Sequence, residues 1–140
     1  MRLSLAGLDK EIVRVVKIVG QEADKKKISA YVVGGFVRDI ILKRKNLDLD
    51  IVVEADAISL AQELSQKYKW NLTIYSQFGT ATLNLSSGLR MDVTTARKES
   101  YPHAGALPVV EPGNIKDDLF RRDFTINAMA AVINTHRLGE

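Results

Sequence analysis

The sequence predicts a single α/β domain, a mixed sheet of about five strands with helices packed on its apolar face. Three observations carry that prediction. A strand, a Gly-Gly turn, a helix and a second strand follow one another from Tyr31 to Glu54. Apolar residues recur at helical spacing on either side of that block, over 8–23 and 57–68. From Asn71 the period changes to two, and three short alternating segments run to Thr95.

The bulk numbers set outer bounds. A chain of 140 residues with 46% hydrophobic and 26% charged residues suits one domain, 1–140, with its own core, and excludes a disordered chain. There is no cysteine, and His103 and His136 are too few for a zinc site without carboxylates, so any metal is oxygen-ligated. No run approaches the ~20 apolar residues of a membrane span and the N-terminus lacks a signal-like segment, so a cytoplasmic protein without a membrane partner is expected. The net charge is +3, with basic clusters at Lys25-Lys26-Lys27 and Lys43-Arg44-Lys45. These clusters suit solvated turns or contacts to a polyanion. The oligomeric state is not encoded in any pattern.

The elements follow in order. Leu8, Ile12, Val15, Val16, Val19 and Ala23 form one stripe behind the N-cap candidate Asp9, with lysines at the negative end of the helix dipole. This is a core-packing helix. The apolar strand Tyr31 to Val33 ends in Gly34-Gly35, where missing β-carbons let backbone N–H groups approach a bulky anion such as phosphate at the mouth of the next helix. In that helix, Phe36 to Lys43, Arg38 reaches back toward the same anion as a planar, permanently charged donor.

In the second strand, Leu47 to Val53, the period of two puts Asp48 and Asp50 on one face and Leu49, Ile51 and Val53 on the other. The two carboxylates stand about 6.5 Å apart along the strand. Folding does not ask for such a pair, because like charges on a sheet repel. A divalent metal removes the penalty: Mg²⁺ takes one or two carboxylates together with substrate phosphates, and two ions roughly 3.5–4 Å apart clamp an in-line phosphoryl displacement. Alone, Asp-x-Asp also suits a solvated strand face and Gly-Gly a plain loop. Their combination around one helix is the specific signal.

Ala57, Ala61, Leu64 and Tyr68 form a second packing stripe behind the cap candidate Asp56. Asn71 to Tyr75, Gly79 to Leu85 and Leu89 to Thr95 read as strands, the last two joined by a tight turn at Ser86-Ser87-Gly88. Thr80, Thr82 and Asn84 share one polar face, and Arg90, Asp92 and Thr94 another. If these faces lie on the Asp48 and Asp50 side of one sheet, Asp92 completes a cluster of three carboxylates. Arg97 to Val110, rich in Pro and Gly, reads as a long loop of the kind that contacts substrate. Asp117 and Asp118 suit the first turn of a short helix, and Arg121 and Arg122 suit its C-terminal charges. That reading leaves the string Arg121-Arg122-Asp123-Phe124-Thr125-Ile126-Asn127-Ala128-Met129-Ala130 unexplained.

Gly-Gly-x-Val-Arg-Asp at 34–39 followed by Asp-x-Asp-Ile-Val at 48–52 resembles the signature of the DNA polymerase β-like nucleotidyltransferase superfamily. More narrowly, with the 121–130 string, it resembles the class II tRNA nucleotidyltransferases (CCA-adding enzymes) and the related bacterial poly(A) polymerases. The resemblance extends from about Tyr31 to Ala131. It implies the polymerase β-like fold and a reaction in which an RNA 3′-hydroxyl, that of a tRNA above all, attacks the α-phosphorus of ATP or CTP and releases pyrophosphate. Asp48 and Asp50 would hold two Mg²⁺ ions, with Asp92 as the third acidic residue. Gly34, Gly35, Arg38, Arg121 and Arg122 would bind the triphosphate, and Asp123 and Asn127 the ribose.

The family's neck motif Glu-Asp-x-x-Arg does not occur, so the chain is expected to be the catalytic head alone, without neck, body or tail, and to select poorly among bases. Alternatives are poly(A) addition to general RNA, a non-catalytic nucleotide-binding module, and a small nucleotidyltransferase acting on a protein or small molecule. The last does not account for the 121–130 string.

Overall fold

The structure, a computed structural model, describes residues 4–41, 48–100, 102–107, 109–120 and 129–140. Asp9 caps the first helix, α1 (Lys10–Lys25), by accepting from the backbone N–H of Glu11. Strand β1 (Ala30–Val33), helix α2 (Gly35–Ile41) and strand β2 (Asp48–Val53) follow as expected. The Asp56 carboxylate accepts from the N–H groups of Ile58 and Ser59 and starts α3 (Ala57–Tyr68). Then come β3 (Asn71–Tyr75), β4 (Thr80–Asn84) and β5 (Arg90–Thr95). The turn between β4 and β5 is closed by Leu85 N–H to Leu89 C=O, 2.9 Å.

These strands form a six-stranded mixed sheet in the order β3-β4-β5-β2-β1-β8, where β8 is Ala130–Val132. Only β2 and β5 are parallel; every other pair is antiparallel. The sheet is one strand wider than the sequence reading because three residues carry no usable alternation, and β8 is recognisable only from its pairing with β1. The Arg97 to Val110 stretch, expected to be a loop, differs in the same way. It contains β6 (Arg97–Ser100) and the start of β7 (Val109–Pro112), which pair as a separate two-stranded sheet. Four residues are too few to show a period, and the partner lies across the connecting segment. The short helix α4 (Ile115–Phe120) has Asp117 and Asp118 in its first turn, as expected.

The core lies between the sheet and α1, α2 and α3. Val15, Val16 and Val19, Phe36, and Leu60 and Leu64 pack against Leu49, Ile51, Leu83, Met91 and Val93. These sheet residues are the apolar face that the alternation marks. At the β1 and β8 end of the opposite face, Tyr31, Val33, Val52, Ala96 and Val132 make a smaller cluster against which Ile115 packs. Among the described residues, the rest of that face carries Asp50, Arg90, Asp92, Thr80 and Thr82.

A charged group of α1 is drawn into the helical layer. Glu22, only 8% exposed, accepts from Lys67 at 2.6 Å and Lys25 at 3.3 Å, tying α1 to α3. The Lys67 contact holds the Glu22 carboxyl below the usual carboxylate range, and the same pairing raises Lys67. A depressed carboxyl pKa adds stability that is present above the unfolded value and lost as the pH falls through the folded one. Glu22→Gln is therefore expected to cost on the order of 1–2 kcal/mol at neutral pH and to flatten the acid side of a Tm-against-pH curve. An unchanged acid limb would show that the contact contributes nothing.

Candidate active site

The parallel pairing of β2 with β5 builds the site. Its register sets Asp48 beside Arg90 and Asp50 beside Asp92, and β4 continues the second row with Thr82. Thr82, Asp92 and Asp50 thus stand in line on the open face of three adjacent strands, about 4.8 Å apart from strand to strand. Asp92 is held in place: Thr82 Oγ1 donates to its Oδ1 at 2.6 Å, and Arg90 Nε lies 3.5 Å from the same oxygen. Asp50 and Asp92 line a cavity of about 450 Å³ with Thr80, Thr82, Arg90 and Arg97 among its walls.

The polar faces do lie on one side of one sheet, which the alternation alone left open. The geometry is nonetheless a pair and a neighbour. Asp50 and Asp92 are direct cross-strand partners, whereas Asp48 lies one step along the strand, opposite Arg90. Among the described residues no three Asp, Glu or His side chains gather closely enough to hold a metal ion by themselves. Two partly open carboxylates in register are still a hard-oxygen donor set of the kind that binds a divalent ion jointly with phosphates.

Gly34 has φ +68°, the left-handed region that a side chain resists, and it turns the chain from β1 into α2. Its own N–H is taken by Met129 C=O at 3.0 Å, as a continuation of the β1 and β8 ladder. The helix begins with Arg38 N–H to Gly34 C=O, so the N–H groups of Gly35, Phe36 and Val37 are those without an intrahelical acceptor. Arg38 folds back over this turn: a β-carbon on Gly35 would come within 3.2 Å of its Nη2. Its Nε donates to Asp39 at 3.1 Å. Val33, immediately before the turn, lines the cavity, but Gly34, Gly35, Arg38 and Asp48 do not. Arg121, Arg122, Asp123 and Asn127, like Lys43-Arg44-Lys45, lie outside the described residues.

Several residues of the site escaped the sequence reading. Thr82 and Arg90 were assigned to polar faces without a role; their signal was sharing parity with Asp92. Asp118 is buried and accepts from the N–H of Arg97 at 3.2 Å, setting the start of β6, from which Arg97 lines the cavity. Nothing local distinguishes Asp118 from the less buried Asp117 beside it in sequence.

Residues 30–139 match the family model described as poly A polymerase head domain. The chain belongs to that family. The head is 49% identical over 80% of its length to the A-adding tRNA nucleotidyltransferase of Aquifex aeolicus, covering 14% of that protein. It is 42% identical over 70% of its length to the CC-adding tRNA nucleotidyltransferase of Deinococcus radiodurans, covering 26% of it. Among solved structures, the head superposes on the Thermotoga maritima CCA-adding enzyme complexed with tRNA at a TM-score of 0.83. That match has 38% identity and covers 99% of this chain and 31% of the other. The fold is the DNA polymerase β-like nucleotidyltransferase fold, and the chain spans a third or less of the length of these relatives. Nucleotidyltransferases of this family use divalent metal ions. No helix among the described residues is long and apolar enough to cross a membrane.

Proposed function

We propose that this head transfers nucleotides from ATP or CTP to the 3′ end of a tRNA, adding CCA or part of it, in the cytoplasm. The observation that carries the reading is the Asp50 and Asp92 pair, in register across parallel strands in an open cavity, where folding alone would avoid two adjacent carboxylates. In the reaction a bond forms between the RNA 3′-oxygen and the α-phosphorus. The bond from that phosphorus to its bridging oxygen breaks, pyrophosphate leaves, and the hydroxyl proton is lost to solvent.

Asp48 and Asp50 would hold two Mg²⁺ ions, with Asp92 as a further ligand. When bound, such ions lower the pKa of the attacking hydroxyl and neutralise the leaving pyrophosphate. The chain's own groups do the rest. Thr82 and Arg90 orient Asp92. The Gly34-Gly35 turn and Arg38 bind the triphosphate, with Arg121 and Arg122 on the same phosphates and Asp123 and Asn127 on the ribose hydroxyls. Relatives that add A and relatives that add CC share this head, which supports a choice of base made outside the residues described. Poly(A) addition to general RNA is the second reading, favoured by the description of the matching family.

The test is incorporation of labelled ATP and CTP, separately, into a tRNA lacking its 3′ end and into an unrelated RNA, with Mg²⁺. Incorporation confined to the tRNA supports the first reading, and equal A addition to both RNAs supports the second. Mg²⁺-dependent triphosphate binding is expected in either case, and its absence would overturn both.

A further inference from the structure

Two exposed aromatic rings stand at the cavity without a role in the site described above. Tyr75 is 45% and Phe78 54% exposed, and both line the cavity that holds Asp50 and Asp92. The register puts Tyr75 there. Tyr75 pairs with Thr80, Thr80 with Thr94, and Thr94 with Val52, so this row runs on the carboxylate face beside the row Thr82, Asp92 and Asp50. Phe78 ends a 3₁₀ turn, Ser76–Phe78, that is pinned to the sheet. Gly79 N–H donates to Ser76 C=O at 3.2 Å, Thr95 N–H to Gly79 C=O at 3.1 Å, and Thr80 Oγ1 to Phe78 C=O at 3.3 Å. Between the rings and the carboxylates the floor is short side chains, Thr80, Thr82 and Thr94.

The side on which the rings stand decides what they contact. In the sheet order, the Gly34-Gly35 turn leaves β1 on one flank of the carboxylate strands β2 and β5, and β3 with its aromatic end lies on the other. An in-line displacement needs the attacking oxygen opposite the leaving pyrophosphate. With the triphosphate on the β1 flank, the RNA 3′ end arrives from the β3 flank. There it meets the exposed rings of Tyr75, on β3 two strands over from Asp92, and of Phe78, and positive charge from Arg90 and Arg97 in the same cavity wall. Exposed aromatic rings beside cationic side chains are the means by which unpaired nucleic acid is held without base reading.

Building on the nucleotidyl-transfer reading, we infer that Tyr75 and Phe78 form a stacking platform for the unpaired 3′-terminal bases of the RNA acceptor. The test uses a short single-stranded RNA with 2-aminopurine at its 3′ end, whose fluorescence is quenched on stacking, titrated into the chain; Mg²⁺-dependent ATP binding is measured in parallel. Tyr75→Ala and Phe78→Ala are each expected to weaken RNA binding about tenfold and to remove the quenching, with ATP binding within twofold of the parent. Phe78→Trp is expected to keep both. Because the two rings are exposed, thermal melts should be unchanged. RNA affinity within twofold in both alanine variants, a loss of ATP affinity in place of RNA affinity, or no quenching by the parent chain would each overturn the platform. The two readings fail separately. Mg²⁺-dependent ATP binding without quenching leaves nucleotidyl transfer standing and removes the platform. Quenching that depends on Tyr75 and Phe78, with ATP binding indifferent to Asp50→Asn, does the reverse.

Discussion

Asp50→Asn is expected to lower nucleotide incorporation by at least about 10³-fold and to remove the stabilisation that Mg²⁺ gives the parent chain. The two halves of that expectation come from the same geometry. Asp50 has a carboxylate as its cross-strand partner, an arrangement that a divalent cation bridging to phosphate stabilises. Asp92 has contacts of its own, from Thr82 Oγ1 and Arg90 Nε, that do not run through Asp50. Melting curves with and without Mg²⁺ check the point independently of activity: the parent should gain stability with Mg²⁺ and the variant should not. A variant that incorporates nucleotide at more than a tenth of the parent rate would remove Asp50 from the chemistry.

Gly20→Ala is expected to destabilise the fold by about 3 kcal/mol, a fall in Tm of roughly 10 °C, although alanine is the better helix former by about 1 kcal/mol. Gly20 sits in the middle of α1, where a β-carbon would come 2.0 Å from the backbone carbonyl oxygen of Ile133. That carbonyl cannot swing away cheaply. Ile133 N–H is bonded to Ala30 C=O at 2.9 Å. The adjoining Asn134 side chain is buried, accepts from Ala30 N–H and donates to Ile28 C=O and Asp24. The helix must therefore lift from the edge of the sheet. A rise in Tm would mean that propensity outweighs the contact.

Much of this was legible from local pattern. Asp9 and Asp56 as caps, the helical stripes and the alternating strands all rest on interactions within a few residues of one another, and each is present. The parity of Asp48, Asp50 and Asp92 was equally readable, because a period of two assigns faces without any knowledge of neighbours. The β6 and β7 hairpin, β8, the capture of the Gly34 N–H by Met129 and the burial of Asp118 were not readable. Each depends on a partner distant in sequence, and none leaves a trace in composition or spacing.

By itself, then, the sequence determined the kinds and order of the elements from α1 to β5, the face on which Asp48, Asp50 and Asp92 stand and the family to which the motifs belong. Only the tertiary structure decided that Asp92 stands beside Asp50 while Asp48 faces Arg90, and that Tyr75 and Phe78 flank the same cavity. Register between strands that are not consecutive in sequence is set when both dock their apolar faces on one layer of helices. A one-residue slip would reverse every face and a two-residue slip would separate the carboxylates, yet neither would alter a single local pattern.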